Sequence, residues 1–232
     1  MKKGDLRRGQ ILDAAEALFF EQGYDRTSIQ DILNRLNISK GGFYHYFDAK
    51  ETVLLEICDR RWLAQFERLC AELFAGRRSP MDKLNLLLRQ ANLFEAEDIH
   101  FAALMLKVCY RSRDAVMRDT RRRILTENLT DALRDALAEG NAQGTLHARH
   151  PAETARLLLL LACDVNDEAC DLLATHIENP DRMIRVIELV NVYRESVELL
   201  VGAPFGTIQL FDVNTMVSDW IRATQELKKL EG

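Results

Sequence analysis

Helical periodicity runs through nearly the whole chain and constrains its fold more than any other feature. Apolar residues recur at spacings of three and four from Leu6 to Leu230, which is the pattern of amphipathic α-helices. Glycine and proline interrupt the pattern, but they are scarce, with 11 glycines and 4 prolines in 232 residues. Because an all-β sandwich needs many turns, this scarcity disfavours one. We therefore predict an all-α protein.

The predicted helices fall into a small amino-terminal group and a larger bundle, joined by one long helix. Three short helices are expected before residue 50, and the long helix follows them to about residue 74. The remaining predicted helices cover about 79–94, 99–109, 114–139, 151–178, 182–200 and 213–230.

Capping residues place the starts of these helices. Either Thr27 or Ser28 begins the second helix, since both fit a capping box, and Ser39 begins the third. Asp48, with Glu51 three residues later, is predicted to cap the long helix. Gly140 and Gly144 are predicted to close the helix that starts near residue 114.

Charge and cysteine content limit the classes of function. The net charge is −5, so the chain is not a general polyanion binder, and nucleic-acid binding would need locally placed basic residues. Residues 1–50 carry eight lysines and arginines against seven acids, a net charge of +1. The five cysteines are odd in number and form no CxxC pair, which is typical of reduced thiols in a cytoplasmic protein.

Neither a membrane nor a catalytic centre is expected. The longest apolar run, 157–163, is far shorter than the roughly 20 residues that a bilayer requires, and the basic start leads into no apolar signal segment. The motifs HExxH, GxSxG, GxGxxG and the P-loop are absent, as is a cysteine-rich metal set. We therefore expect a cytoplasmic protein that is not an enzyme and uses no metal or cofactor.

The residues around the predicted third helix carry the chemistry of the amino-terminal group. Asn37 is suited to the left-handed conformation of a tight helix–helix turn. Gly41 and Gly42 weaken the following helix, but they let its backbone approach another molecule closely. A lysine, hydroxyl groups, an imidazole and tyrosines surround them, and these groups contact phosphates and base edges. We predict a helix-turn-helix over about 30–49, with its second helix in the DNA major groove.

The same stretch resembles the TetR/AcrR family of transcriptional regulators. The residues that carry the resemblance include Gly23-Tyr-Asp-Arg-Thr27, Ile38-Ser39-Lys-Gly41-Gly-Phe-Tyr44-His-Tyr46-Phe47 and Lys50-Glu51. The match covers about 6–57, a fifth of the chain. It implies a helical homodimer in which residues 1–50 bind DNA, helix 50–75 links the domains, and residues 51–232 bind an effector and dimerise. It also implies a repressor that a small molecule releases from a palindromic operator on double-stranded DNA.

Carried over position by position, the resemblance implies a set of DNA contacts. Ser39 to His45 would face the groove, whereas Thr27, Tyr44, Tyr46 and Lys50 would contact mainly the phosphate backbone. The full set is Thr27, Ser28, Ser39, Lys40, Gly41, Gly42, Phe43, Tyr44, His45, Tyr46 and Lys50.

Three points about these residues stay open. Leu36-Asn37 replaces the usual Ala-Gly of the turn, which is sterically tolerable. The run Tyr44-His45-Tyr46-Phe47 departs from the usual Tyr-x-His-Phe, so either His45 or Tyr46 takes the family histidine's contact. Phe43 and Phe47 have the alternative role of packing against the first helix.

The carboxy-terminal bundle offers candidate effector contacts and a candidate dimer interface. Two helices, 182–200 and 213–230, are expected to form the interface, with Val217, Trp220 and Ile221 as an apolar patch, and the resemblance adds residues 152–178. The candidate ligand contacts are Phe94, His100, Phe101, Met105, Cys109, Tyr110, Asn128, Asp164, Asp167, Asn191 and Tyr193.

A row of carboxylates on one helix face has two interpretations. Asp164, Asp167, Glu168 and Asp171 stand at i, i+3, i+4 and i+7. They form either a stripe that is solvated or paired with Arg111, Arg113 or Arg121–Arg123, or an acidic pocket wall for a cationic ligand or metal. Two alternatives to an effector-controlled repressor also stay open: a regulator controlled by a protein partner or thiol oxidation, and a helical-bundle enzyme or carrier.

Overall fold

Helices joined by short loops make up the part of the chain that the computed structural model describes, residues 3–90, 99–111, 115–175 and 180–231. No strand occurs in these ranges, so the predicted all-α class is confirmed. The helices are α1 (Lys3–Gln22), α2 (Ile29–Leu36), α3 (Lys40–Tyr44), α4 (Lys50–Phe74), α5 (Pro80–Arg89), α6 (Ile99–Met105), a π-helical segment (Leu106–Arg111), α7 (Ala115–Ala142), α8 (Pro151–Thr175), α9 (Pro180–Val201) and α10 (Val213–Glu231). Within the same ranges, no helix is both long and apolar enough for a membrane span.

Local hydrogen bonds fix the short helices α2 and α3. Ser28 caps α2: its hydroxyl accepts from the Asp31 amide at 3.2 Å, and the Asp31 carboxylate accepts from the Ser28 amide at 2.8 Å. Asn37 has φ 50° and ψ 51°, the left-handed conformation predicted for the turn. Ser39 caps α3, as predicted. The turn geometry that presents α3 is therefore encoded within about a dozen residues.

The start of α4 differs from the prediction. Ala49 is the N-cap residue, and its amide donates to Thr52 Oγ1 at 3.3 Å. Asp48 lies one residue too early and instead accepts from the Thr52 hydroxyl at 2.9 Å. The Asp48 capping box was wrong because Thr52, rather than Glu51, supplies the side chain that reaches back to the cap.

Helix α4 connects the amino-terminal helices to the bundle through two hydrophobic cores. Val53, Leu54 and Ile57 pack into a core shared with α1, α2 and α3, whereas Leu69 belongs to a second core shared with α5, α7, α8 and α9. Ion pairs also tie α4 to α1, including Arg60 with Asp13 at 2.6 Å. The orientation of the short helices is therefore coupled to α4.

A half-buried carboxylate on α4, that of Asp59, gives a pH-dependent prediction. Burial raises the pKa of Asp59, and its Oδ1 has no hydrogen-bond partner among the described residues. Because the folded pKa lies above the unfolded one, ionisation of Asp59 opposes folding and stability falls as pH rises through the folded pKa. We expect Asp59→Asn to raise Tm by about 1–3 °C at pH 7. The gain should vanish below pH 3.8, the ordinary pKa of the group; a gain of equal size in acid would contradict this explanation.

Candidate nucleic-acid interface

Helix α3 is anchored to the protein by one aromatic side chain. Phe43 is completely buried, and its ring lies 5.9 Å from that of Phe47, which is also buried. The Phe43 side chain is therefore not accessible for a DNA contact, and it lies in the same core as residues of α1. With only five residues, α3 depends on this anchor for its position.

The side of α3 opposite Phe43 faces solvent. Lys40, Gly41, Tyr44 and His45 are all exposed, and we call these four residues the α3 face. Gly42 is half-buried beside the Ser39 hydroxyl. The α3 face therefore combines a cation, a phenol, an imidazole and a backbone without a side chain at its centre, the groups that can contact phosphates and base edges.

His45 and Tyr46 differ in accessibility. The His45 ring is exposed, whereas Tyr46 is half-buried and packs edge-on against it at 4.8 Å. The greater exposure of His45 thus favours His45 for a contact to DNA bases, and the Tyr46 hydroxyl is better suited to a contact at the edge of the interface. Both contacts stay predictions.

The hydroxyl groups of Thr27 and Ser28 form hydrogen bonds within the protein at the start of α2. The Thr27 side chain is 1% exposed, and its hydroxyl donates to the Gly23 carbonyl at 2.8 Å. A phosphate contact from the Thr27 hydroxyl is therefore excluded by burial, which corrects the prediction. Ser28 is exposed, and its hydroxyl donates to Asp31 at 2.7 Å, so it stands beside the interface as a capping residue.

Lys50 connects the first residue of α4 to the turn between α1 and α2. Its Nζ donates to the carbonyl oxygens of Tyr24 at 2.7 Å and Thr27 at 2.9 Å, and it lies 4.2 Å from the centre of the Tyr24 ring. Burial lowers the pKa of Lys50. The phosphate contact of Lys50 stays a prediction. Its two hydrogen bonds hold the turn that precedes α2.

Replacement of Lys50 by methionine should therefore act mainly through the turn. We expect the loss of two hydrogen bonds from a charged donor to lower the free energy of unfolding by about 1–2 kcal/mol. The slope of log DNA affinity against log salt concentration should not change. Lys40→Met is the matched control, because Lys40 is exposed. It should leave Tm unchanged and make the salt slope shallower by about 1. A shallower slope for the Lys50 variant would instead assign Lys50 to a phosphate.

Two cavities in the bundle test the candidate ligand contacts. A narrow cavity of about 40 Å³ lies between α4, α6 and α7, and an open cleft of about 700 Å³ adjoins it beside α1 and α10. Phe101 lines both, Asn128 lines the narrow cavity and His100 lines the cleft. These three candidates are brought together.

Other candidates lie away from the cavity walls. Met105 and Cys109 are buried in the first core, and the Tyr193 hydroxyl donates to the Leu158 carbonyl at 3.0 Å. Asn191 is half-buried on α9 and lines neither cavity. Phe94 lies outside the described residues.

The carboxylate row on α8 is paired with an arginine from α7. Arg122 lies 2.7 Å from Asp164 and 3.2 Å from Asp167, and Asp167 also accepts from the Tyr110 hydroxyl at 2.7 Å. Neither acid lines either cavity. No group of three or more metal-binding side chains occurs within the described ranges. The paired stripe is thus the interpretation that the geometry supports.

Sequence reasoning missed the wall that α4 contributes. Trp62, Gln65, Phe66 and Leu69 all line the narrow cavity. Their i, i+3, i+4 and i+7 spacing was a detectable signal of one helix face, but α4 was treated only as a linker. Arg121 of α7 was missed as well.

Comparison with known proteins finds a family match for the amino-terminal helices. Residues 11–57 match the family model described as bacterial regulatory proteins, tetR family. Over 100 residues the chain is 30% identical to the HTH-type transcriptional repressor KstR2 of Mycobacterium tuberculosis, a match that covers 43% of this chain and 48% of KstR2. The chain thus spans about half of that relative's length, and less of other curated relatives.

Solved structures extend the similarity to the bundle. A TetR/AcrR-family transcriptional regulator from Thermobifida fusca is 25% identical, with a TM-score of 0.50 and coverage of 81% of this chain and 96% of that one. The regulator FadR of Bacillus subtilis, solved with stearoyl-CoA, has 24% identity, a TM-score of 0.53 and coverage of 83% and 97%. The amino-terminal helices thus match the tetR family of bacterial regulatory proteins over residues 11–57, and the helical bundle behind them resembles the bundle of a solved TetR/AcrR-family regulator.

Proposed function

We propose that this protein is a sequence-specific DNA-binding transcriptional regulator, a repressor that a small-molecule effector releases from a palindromic operator. The observation that carries the proposal is the α3 face. Its four residues are exposed on the side of α3 opposite Phe43, whose buried side chain anchors the helix to the protein. A helix presented in this way fits the major groove. KstR2, named a repressor, shares sequence with this part of the chain.

In this proposal the two domains follow each other along the chain. Residues 1–50 would form the DNA-binding domain, with the helix-turn-helix at about 30–49, and residues 51–232 would bind the effector and dimerise. In this proposal the protein works in the cytoplasm, where its DNA is, without a cofactor. The match to tetR-family regulators argues against an enzyme or carrier.

A homodimer supplies the two-fold symmetry that a palindromic operator requires. Helix α9 presents large apolar side chains to solvent, with Ile184 56%, Val192 61% and Leu199 84% exposed. Leu157 of α8 is also exposed. By contrast, Val217 and Trp220 of α10 pack against the protein's own first core. We therefore place the interface on α8 and α9 and assign α10 a lesser part than the sequence suggested.

Control by a small molecule is favoured over control by thiol oxidation. Cys58, Cys163 and Cys170 are buried, and burial raises the pKa of each thiol. Oxidation requires an accessible thiolate, which these three residues do not supply. Cys70 of α4 is half-buried, so thiol control would have to act through that residue. The bundle, in contrast, contains a cavity that adjoins an open cleft, and FadR, of similar fold, was solved with a bound small molecule.

Selection from random DNA tests the proposal directly. The purified full-length protein should enrich one palindromic duplex, and sedimentation should show one dimer per duplex. The affinity should fall steeply with salt because phosphate contacts release counterions. Recovery of no enriched sequence would reject DNA recognition, and enrichment of an asymmetric site bound by a monomer would reject the palindrome and the dimer.

A further inference from the structure

A lysine of the bundle reaches the turn between α1 and α2. The Nζ atom of Lys107 lies 3.0 Å from a carboxylate oxygen of Asp25, and the Lys107 side chain is 11% exposed whereas that of Asp25 is 64% exposed. Lys107 belongs to the π-helical segment Leu106–Arg111, and such segments are frequent at functional sites. This ion pair therefore joins the bundle to the amino-terminal helices.

The ion pair adds direction to an otherwise apolar contact. Leu106 and Val108, the neighbours of Lys107 in the chain, are buried in the first core together with side chains of α1, α2 and α3. Apolar packing is non-directional, so it allows two elements to slide past each other by a small distance. An ion pair with an exposed carboxylate contributes little to stability, but it fixes the position of one named atom against another.

The turn that contains Asp25 is held from two sides. Lys50 of α4 donates to the carbonyl oxygens of Tyr24 at 2.7 Å and Thr27 at 2.9 Å, and Lys107 approaches Asp25 from the bundle. Helix α2 begins directly after this turn, and α3 follows α2. A shift of the π-helical segment relative to α4 would therefore be passed to the helices that present the α3 face.

The π-helical segment is also bonded to the interior of the bundle. The hydroxyl of Tyr110 donates to the carboxylate of Asp167 on α8 at 2.7 Å. One short segment thus contacts α8 at one end and the α1–α2 turn at the other. A rearrangement of the bundle that moves this segment has a direct physical route to the DNA-binding helices.

We propose that Lys107 is a positioning residue for DNA recognition: its ion pair with Asp25 holds the α1–α2 turn in the arrangement that presents the α3 face, and parting of the pair lowers operator affinity. The inference rests on the proposed function, since it names a contact through which the bundle controls the DNA-binding helices. In this proposal Lys107 acts through Asp25 and makes no contact with DNA.

The sign of the effect at Asp25 tests the proposal. Asp25 is an exposed acid, so its charge alone repels DNA phosphates, and its neutralisation would by charge alone raise the affinity. If the pair positions the turn, Asp25→Asn should instead lower the affinity for the selected palindrome by about 5-fold or more, as typical coupling energies do. The control Glu51→Gln neutralises an exposed acid in the first turn of α4 and should leave the affinity unchanged or higher.

Further variants of the full-length protein assign the effect to the pair. Lys107→Met should lower the affinity about as much as Asp25→Asn, and the double variant should bind no more weakly than either single variant, because both changes remove one contact. Asp25→Glu keeps the charge and should retain most of the affinity. The slope of log affinity against log salt concentration should not change in Lys107→Met, since no phosphate contact is lost. If Lys107→Met does not fold, the variants of the exposed Asp25 decide alone.

Three results would overturn the inference. These are an affinity of Asp25→Asn that equals or exceeds that of the unchanged protein, losses that add in the double variant, and a shallower salt slope in Lys107→Met, which would place the lysine on a phosphate. DNA selection with the unchanged protein tests the proposed function separately. An enriched palindrome beside unaffected variants would reject the role of the ion pair and spare the proposed function, whereas no enriched sequence would reject both.

Discussion

Replacement of Gly41 by leucine is expected to reduce operator affinity by about 100-fold or more, equivalent to about 2.8 kcal/mol, without destabilising the protein. Gly41 is exposed between Lys40 and Tyr44, and a Cβ added to it would meet no atom within 4 Å. The folded protein therefore has room for the side chain. The DNA groove has no room for the same side chain, because the backbone of α3 must approach the bases closely and the leucine would hold it away from them.

Thermal unfolding separates this effect from misfolding. Leucine is a better helix former than glycine by up to about 1 kcal/mol, so the Tm of the variant should be unchanged or higher. Gly41→Ala should give an intermediate loss of affinity, since its side chain is one methyl group. The measurement is a binding titration with the selected palindrome, and full affinity in Gly41→Leu would remove the α3 face from the DNA interface.

The parts of the interface that could be predicted are those fixed by short-range chemistry. The Ser28 and Ser39 caps and the left-handed Asn37 depend on hydrogen bonds and backbone angles within a few residues. Such signals are readable in a single sequence. The start of α4 shows their limit, because Asp48 fits a capping pattern in the sequence, yet Ala49 is the N-cap residue and Thr52 supplies the side chain that reaches back to it.

The cavity could not be predicted, because its walls come from residues distant in sequence. Arg121, Arg122 and Arg123 are chemically identical neighbours, yet the first is buried in the cavity wall. The second pairs with Asp164 and the third with Glu127. Successive residues of a helix point about 100° apart, so a rotation of α7 by one residue would exchange these roles. Packing of α7 against α4 and α8 decides the rotation, and no local pattern records it.

A large loss of stability from a single added methyl group is expected at Gly140. The sequence predicted that Gly140 and Gly144 close the helix, but α7 continues through Gly140 to Ala142, and only Gly144, with φ 70°, follows the helix end. An added Cβ at Gly140 would lie 2.4 Å from Leu146 Cδ1 and 2.9 Å from its Cβ. Gly140 is therefore required by the close approach of a neighbouring chain segment.

Leu146 has little freedom to withdraw from the added methyl group. It is completely buried, and its amide donates to the Gly140 carbonyl at 3.2 Å. Overpacking of this kind costs about 1–3 kcal/mol, which outweighs the gain of up to about 1 kcal/mol in helix propensity. We expect Gly140→Ala to lower Tm by several degrees, about 2–4 °C for each kcal/mol lost, in a thermal melt followed by circular dichroism.

Gly9→Ala is the matched control for the sign of this effect. Gly9 lies within α1, and a Cβ there would meet nothing within 4 Å, so only the propensity gain remains and Tm should rise. The same substitution in two helices should thus shift Tm in opposite directions. If both variants become more stable, the contact with Leu146 relaxes freely and Gly140 is not held by packing. If both become less stable, helix propensity does not govern α1, and the comparison no longer isolates the steric effect.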